Sequence, residues 1–152
     1  YVHNVFKLSN HRGLSCVLAG AVEWQEAVQH VEKGGFDVLT CGPQPSHPVE
    51  LLMGERFQAV MSQIDKLYDI VIVDTPPVLA VTDALLIARA AATTLLVARF
   101  GKTNVKEIEN CLKRLQQMGV QVNGAILNDI VKSAVLYYNS GYSHYVYGYT
   151  QE

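Results

Sequence analysis

Four apolar residues, 70–73 (IVIV), run directly into Asp74, which is followed by Thr75, Pro76 and Pro77. An apolar strand that ends in an acid sets a carboxylate at the carboxyl edge of a sheet, where open α/β sheets bind their ligands. One carboxylate so placed suits Mg²⁺, a hard ion that keeps several waters and takes only one or two carboxylates from a protein. Asp74 is therefore the candidate catalytic and Mg²⁺-binding residue, with Thr75, Pro77 and Asp83 as candidate neighbours of the site. Asp also opens turns in its own right, and Asp83 stands where it equally serves to cap the next helix. The Thr-Pro-Pro ending, which forces the chain sharply out of a strand, favours a nucleotide site over a plain turn at Asp74.

A second cluster lies near the carboxyl end. Tyr137, Tyr138, Tyr142, Tyr145, Tyr147 and Tyr149 are interleaved with Ser140, Gly141, Ser143 and Gly148. With few aliphatic residues and two glycines such a segment cannot bury itself, so residues 134–152 are expected to form a flexible tail open to phosphorylation or docking. Sticky low-complexity tails and tyrosine platforms that stack on sugars or bases share this composition. Phospho-acceptor tyrosines are favoured because Asp74 shares the same short chain. Each phosphotyrosine adds about −1.5 to −2, so full modification would add roughly −9 to −12 to a chain of formal net charge −2.

Positioning these groups requires a sheet. Residues 36–41 (FDVLTC), 70–73, 94–98 (TLLVA) and 122–127 (VNGAIL) are short apolar runs. Their nearly continuous apolar character predicts strands covered by helices on both faces of a parallel sheet. Three segments of helical period lie between them, long enough for the crossovers that parallel strands need. The first runs from Pro48 to about Lys66, with Pro48 at a first helical position and Glu50 in the first turn. The second covers residues 84–91, after Asp83. The third presents Val105, Ile108, Leu112, Leu115 and Met118 to the core, turns Lys106, Glu107, Lys113 and Arg114 to solvent, and is closed by Gly119. The order β-α-β-α-β-α-β predicts an α/β fold with a doubly wound, mostly parallel sheet over residues 1–133. Towards the amino end, residues 13–18 suit a short helix and residues 28–31 a strand extending or edging the sheet.

Bulk properties exclude several classes. A length of 152 residues suits one domain, and 49% apolar with 17% charged residues suits a folded globule. The small net charge leaves no field to gather nucleic acid, which is excluded as a partner. Cys16, Cys41 and Cys111 are odd in number and form no C-x-x-C pair, as expected of free thiols in a reducing compartment. The longest apolar stretch, 84–98, is interrupted by Arg89, so no span of about 18 uncharged residues exists. His3, His11, His30, His47 and His144 have no metal-ligand spacing, which disfavours a metalloenzyme, and no Ser-His-Asp arrangement can be argued for a hydrolase.

Residues 71–89 (VIVDTPPVLAVTDALLIAR), 97–103 (VARFGKT), 124–129 (GAILND) and the tyrosine-rich end succeed one another in an order that resembles the cytoplasmic kinase domain of the bacterial tyrosine kinases. Residues 42–52 (GPQPSHPVELL) resemble that family's proline-rich turn into an E-L-L helix, so the resemblance covers the chain from Val38 onwards. The family is similar in fold to the P-loop, deviant-Walker ATPases of the Min and Par type. Its members phosphorylate their own carboxyl-terminal tyrosines and serve polymerisation and export of capsular or extracellular polysaccharide. The resemblance implies ATP and Mg²⁺ as cofactors, Asp74 as the Walker B acid, and Asn128 as a residue touching the adenine base. An Asn amide both donates to and accepts from a purine edge, although Asn also forms turns. Further implied are a homo-oligomeric ring in which one subunit's tail enters its neighbour's site, and partners in the export machinery and a cognate tyrosine phosphatase. The implied location is the cytoplasmic face of the bacterial inner membrane.

One departure is an absence. No G-x-x-x-x-G-K-[ST] phosphate loop occurs in the 152 residues, nor does the family's second, deviant Walker segment. Residues 1–7 (YVHNVFK) resemble the family's stretch immediately after that second segment, so the chain is expected to begin just beyond it, truncated at the amino end. Phosphoryl transfer depends on positioning and charge neutralisation around the phosphates, so the chain alone is expected to be inactive. Two function classes remain: part of an autophosphorylating kinase, or a non-catalytic ATPase-fold scaffold, either a chain-length regulator or a Par/Min-type nucleotide switch.

Overall fold

The computed structural model describes residues 2–131; the tail 134–152, with its six tyrosines, lies outside the described residues. The chain divides into two compact units, Tyr1–Ala92 and Thr93–Glu152. Both helices and strands are present in each, so the fold is α/β.

The first unit begins with helices α1 (Val2–Phe6), α2 (Leu14–Leu18) and α3 (Trp24–Ala27), the second falling where the sequence predicts a short helix. Strands β1 (Val28–Val31) and β2 (Phe36–Leu39) come next as an antiparallel hairpin in the register Val28↔Leu39. Gly35 supplies the left-handed residue of its turn at φ 62°. Helices α4 (Pro48–Met53), α5 (Glu55–Asp65) and α6 (Asp83–Ala90) complete the unit. The single helix expected from Pro48 to Lys66 is thus two, because Gly54 is extended at φ −69°, ψ 153° and breaks the backbone ladder.

The apolar faces of these helices close two clusters. Val17, Trp24, Ala27, Val60 and Ile64 form one, with Tyr68 packed against it; Leu18, Phe57 and Ile87 form the other, with Val73 packed against it. Burying an indole requires a partner for its N–H, and Trp24 Nε1 donates to Gln63 Oε1 at 2.8 Å. The segment before α2 is tied to the end of β2. Leu14 N donates to Thr40 O at 2.7 Å and Ser15 N to Cys41 O at 3.0 Å. The Asn10 amide pairs both ways with Gly42, donating to its O and accepting from its N at 3.0 Å each. Only glycine fits at Gly13, where a Cβ would lie 2.3 Å from Gly42 N.

The second unit is a β-α-β crossover: β3 (Leu95–Arg99), α7 (Val105–Gln117) and β4 (Gly124–Asn128). The strands are parallel, in the register Leu95↔Gly124 to Arg99↔Asn128. Asn104 opens α7 with a reciprocal capping box, accepting from Glu107 N while Glu107 Oε2 accepts from Asn104 N, at 2.9 Å each. Glu107 is therefore a capping residue, not only part of the solvated face that its charge suggests. Gly119 closes the helix at φ 74°, as expected. Leu115 is buried, but Val105 and Leu112 are exposed, so the predicted core stripe is narrower than its periodicity implies.

Two expectations about the sheet are not displayed by the described residues. The strands form two separate two-stranded sheets among the described residues, one of them antiparallel, so the doubly wound parallel sheet is not what these residues display. Residues 70–73 form no strand at all, and Ile70 and Ile72 are 78% and 89% exposed. A strand is defined by a hydrogen-bonded neighbour, and this apolar run has none among the described residues.

Candidate functional site

Asp74 stands on a connection between α5 and α6. The chain leaves α5 through a turn in which Leu67 N and Tyr68 N both donate to Ile64 O. Val73 packs against the Leu18, Phe57 and Ile87 cluster and so anchors the residue immediately before the acid. Beyond it, Pro77 O accepts from Ala80 N at 2.9 Å and from Val81 N at 3.4 Å, turning the chain into α6. The Asp74 carboxylate between these anchors is exposed and makes no hydrogen bond or ion pair among the described residues. A hard cation that keeps most of its waters fits one free carboxylate of this kind. Among the described residues no group of three His, Cys, Asp or Glu side chains is arranged to enclose a metal. Thr75 and Pro77 are exposed beside Asp74.

Asp83 is half-buried at the first position of α6, where a carboxylate meets the positive end of the helix dipole. The preceding residue, Thr82, occupies the cap without a side-chain cap bond. Asp83 is therefore not the N-cap, and its role in the first turn is electrostatic.

Asn128 is the last residue of β4, paired in register with Arg99, the last of β3. Its backbone O accepts from Phe100 N at 2.8 Å, extending the ladder by one bond. Its side-chain Oδ1 accepts from Asp129 N at 2.8 Å. Asp129 takes a left-handed conformation at φ 61° and receives Arg99 Nε on its Oδ2 at 2.7 Å. Arg99 is itself fixed by a tight turn, its N donating to Thr103 Oγ1 and its O accepting from Thr103 N, both at 2.9 Å.

The structure therefore brings Asn128 together with Arg99 and Asp129, two residues that the sequence does not single out for the site although they lie within the blocks 97–103 and 124–129. A signal for them exists: Arg99 ends one apolar run and Asn128-Asp129 ends the next, and adjacent parallel strands bring such ends side by side. Asp74 and Asp83 belong to the first unit, Asn128 to the second. The expected phospho-acceptors Tyr137, Tyr138, Tyr142, Tyr145, Tyr147 and Tyr149 lie outside the described residues. Burial pushes the Cys111 thiol up, away from the nucleophilic thiolate.

No protein-family model matches the chain. Tyrosine-protein kinase Etk of Escherichia coli K12 is 49% identical over 139 residues, 91% of this chain and 19% of the relative. Tyrosine-protein kinase Wzc of Salmonella typhimurium is 43% identical over 147 residues, 97% of this chain and 20% of the relative. The solved kinase domain of Escherichia coli Etk matches with a TM-score of 0.85 at 48% identity, covering 98% of this chain and 56% of that one. The chain thus spans about a fifth of the length of these curated relatives and a little over half of the solved domain. Its close homologues are bacterial tyrosine-protein kinases, and its structure matches part of their kinase domain.

Proposed function

We propose that this chain is part of an ATP- and Mg²⁺-dependent tyrosine kinase that phosphorylates its own carboxyl-terminal tyrosines and regulates polysaccharide polymerisation and export. One observation carries the proposal: a free, anchored Asp74 carboxylate, within a chain matching tyrosine-protein kinase Etk over 91% of its length. A relative 45% identical over 134 residues is named for a tyrosine-protein kinase in a cps region of Klebsiella pneumoniae, which supports the link to polysaccharide. In this reading Asp74 holds or orients the hydrated Mg²⁺, Asn128 meets the adenine base, and Thr75, Pro77 and Asp83 border the site. Bound Mg²⁺ neutralises charge on the transferring phosphoryl group. A phosphate loop from outside residues 1–152 completes the site, within a P-loop domain with a doubly wound sheet. Tyr137, Tyr138, Tyr142, Tyr145, Tyr147 and Tyr149 are the acceptors, presented to a neighbouring subunit of a ring at the cytoplasmic face of the inner membrane.

Anti-phosphotyrosine detection on the full-length protein, with ATP and Mg²⁺, tests this directly. Asp74→Asn is expected to lower autophosphorylation by at least about a hundredfold, the scale on which a preorganised electrostatic contact acts in a transition state. Autophosphorylation at the wild-type rate in Asp74→Asn overturns the role of the acid. No phosphotyrosine on the wild-type protein favours the non-catalytic scaffold or nucleotide switch.

A further inference from the structure

We infer that Asp37 is a positioning residue for Asp74, acting through Tyr68. The inference rests on the reading of Asp74 as the Mg²⁺-binding acid and adds to it a side chain on the β1–β2 hairpin. His30 and Asp37 oppose each other in the register of that hairpin, and Val28 and Leu39 are the opposed pair two residues along. Side chains two apart on a strand share a face, so one face of the hairpin carries an apolar pair followed by a polar pair. Tyr68 matches both. Its ring packs, like Val28 and Leu39, against the cluster of Val17, Trp24, Ala27, Val60 and Ile64. Its hydroxyl donates to Asp37 Oδ2 at 2.6 Å, while His30 Nδ1 lies 2.7 Å from Asp37 Oδ1. Both carboxylate oxygens are thus engaged, one from β1 and one from the turn after α5.

This tie holds the root of the connection that carries Asp74. Tyr68 N donates to Ile64 O at 3.1 Å where the chain leaves α5. Residues 70–73 join no ladder among the described residues, and Val73 packs against the cluster of Leu18, Phe57 and Ile87 just before the acid. A short segment without a ladder takes its course from its two ends. One end is Val73; the other is Tyr68, held by its backbone N–H, its ring and its hydroxyl.

Stability alone asks little of the hydroxyl bond. The ring is packed without it, and Asp37 and His30 are exposed, so solvent screens what the polar group contributes. What the bond adds is direction: it fixes how far the Tyr68 side chain reaches along the hairpin, and with it where the connection to Asp74 begins. A small misplacement of a group that orients the reacting phosphate and its metal costs rate far out of proportion to the energy of the bond that held it.

The test is autophosphorylation of the full-length protein, followed by anti-phosphotyrosine detection against Mg²⁺ concentration at saturating ATP. Tyr68→Phe, which keeps the ring and removes the hydroxyl, is expected to raise the Mg²⁺ concentration for half-maximal rate by about three- to tenfold. Asp37→Ala is expected to do the same, and the two together no more than either alone, since both remove one bond. Asp37→Asn is expected to restore most of the wild-type value, because its side-chain carbonyl still accepts from the Tyr68 hydroxyl. A merely stabilising role would lower the urea midpoint and leave the Mg²⁺ requirement of the folded enzyme unchanged. That result in Tyr68→Phe, or in Asp37→Ala should the first variant fail to fold, overturns the inference. So does Asp37→Asn behaving as Asp37→Ala, which would assign the effect to charge. Wild-type rate and Mg²⁺ requirement in Asp74→Asn instead overturn the reading beneath it.

Discussion

Residues 70–74 and the β3–β4 pair carry the same message in sequence, an apolar run ending in a polar residue, and meet opposite fates. Leu95–Arg99 and Gly124–Asn128 find each other as parallel neighbours through the crossover of α7. Residues 70–73 have no hydrogen-bonded neighbour among the described residues, and Ile70 and Ile72 are exposed. An apolar run states that the chain wants burial on both faces; a strand also needs a backbone beside it. In the first unit β2 pairs with β1 along its length, and Leu14 and Ser15 bond to Thr40 and Cys41 just beyond its end. Asp74 is thus placed by the packing of Val73 and the turn at Pro77, and Asn128 by a ladder.

The sharpest way to disturb the first region is at the clasp beyond β2. In Gly13→Ala the new Cβ would lie 2.3 Å from Gly42 N and 2.4 Å from Thr40 O, both backbone atoms with no rotamer to yield. The segment must move, taking with it the Leu14 and Ser15 bonds. The expected cost is roughly 1–3 kcal/mol, read from the urea midpoint at constant m-value. A midpoint within experimental error of wild type would mean that the clasp is not held as described.

A smaller effect distinguishes the two runs directly. Amide hydrogen exchange should find residues 70–73 close to unprotected, since they join no backbone ladder among the described residues. Phe100 N and Asn123 N, bonded to Asn128 O and Thr94 O at 2.8 Å, should exchange slower by about one to two orders of magnitude. Equal protection of 70–73 and Phe100 would place a neighbour beside the apolar run and remove the contrast.

Much of the second unit is legible in the sequence. Its strands and α7 arise from apolar runs, helical period and the Gly119 stop, all local signals. The Asn104 box is also readable, as Asn succeeded three residues later by Glu, although charge alone sends Glu107 to a solvated face. Two failures have one cause. Antiparallel pairing of Phe36–Leu39 with Val28–Val31, and the missing ladder at 70–73, depend on which backbone lies adjacent, and apolar content does not encode that. The break at Gly54 is different: the periodicity of α4 and α5 continues across it, and only the backbone freedom of glycine marks the place. For the candidate site, Asp74 and Asn128 are legible as polar ends of apolar runs. Arg99 and Asp129 also end apolar runs, but what joins them is a pairing across strands that the sequence does not specify.

The smallest effect expected is a pH dependence within the first unit. Tyr68 OH donates to Asp37 Oδ2 at 2.6 Å, and His30 Nδ1 lies 2.7 Å from Asp37 Oδ1, so the hairpin is tied to the residue just past α5. The Tyr68 hydrogen bond, and after it that from His30, holds the Asp37 carboxyl below its ordinary value of 3.8. The same bond pushes the Tyr68 hydroxyl above its ordinary value of 10.0. A depressed acid stabilises the fold above its unfolded pKa and ceases to do so as pH falls through the folded one. A raised phenol stabilises below its unfolded pKa and ceases to do so as pH rises through the folded one. The tie should therefore be strongest between about pH 4 and pH 10 and weaken outside that window. Asp37 is open to solvent, which screens the interaction and keeps its contribution small. Tyr68→Phe keeps the ring against the cluster that contains Val17 and Trp24 but removes the hydroxyl, so the loss of stability below pH 4 should become shallower than in wild type. Urea midpoints measured from pH 2 to pH 7 provide the comparison, and an acid limb of identical slope in both proteins would show that Asp37 does not depend on Tyr68.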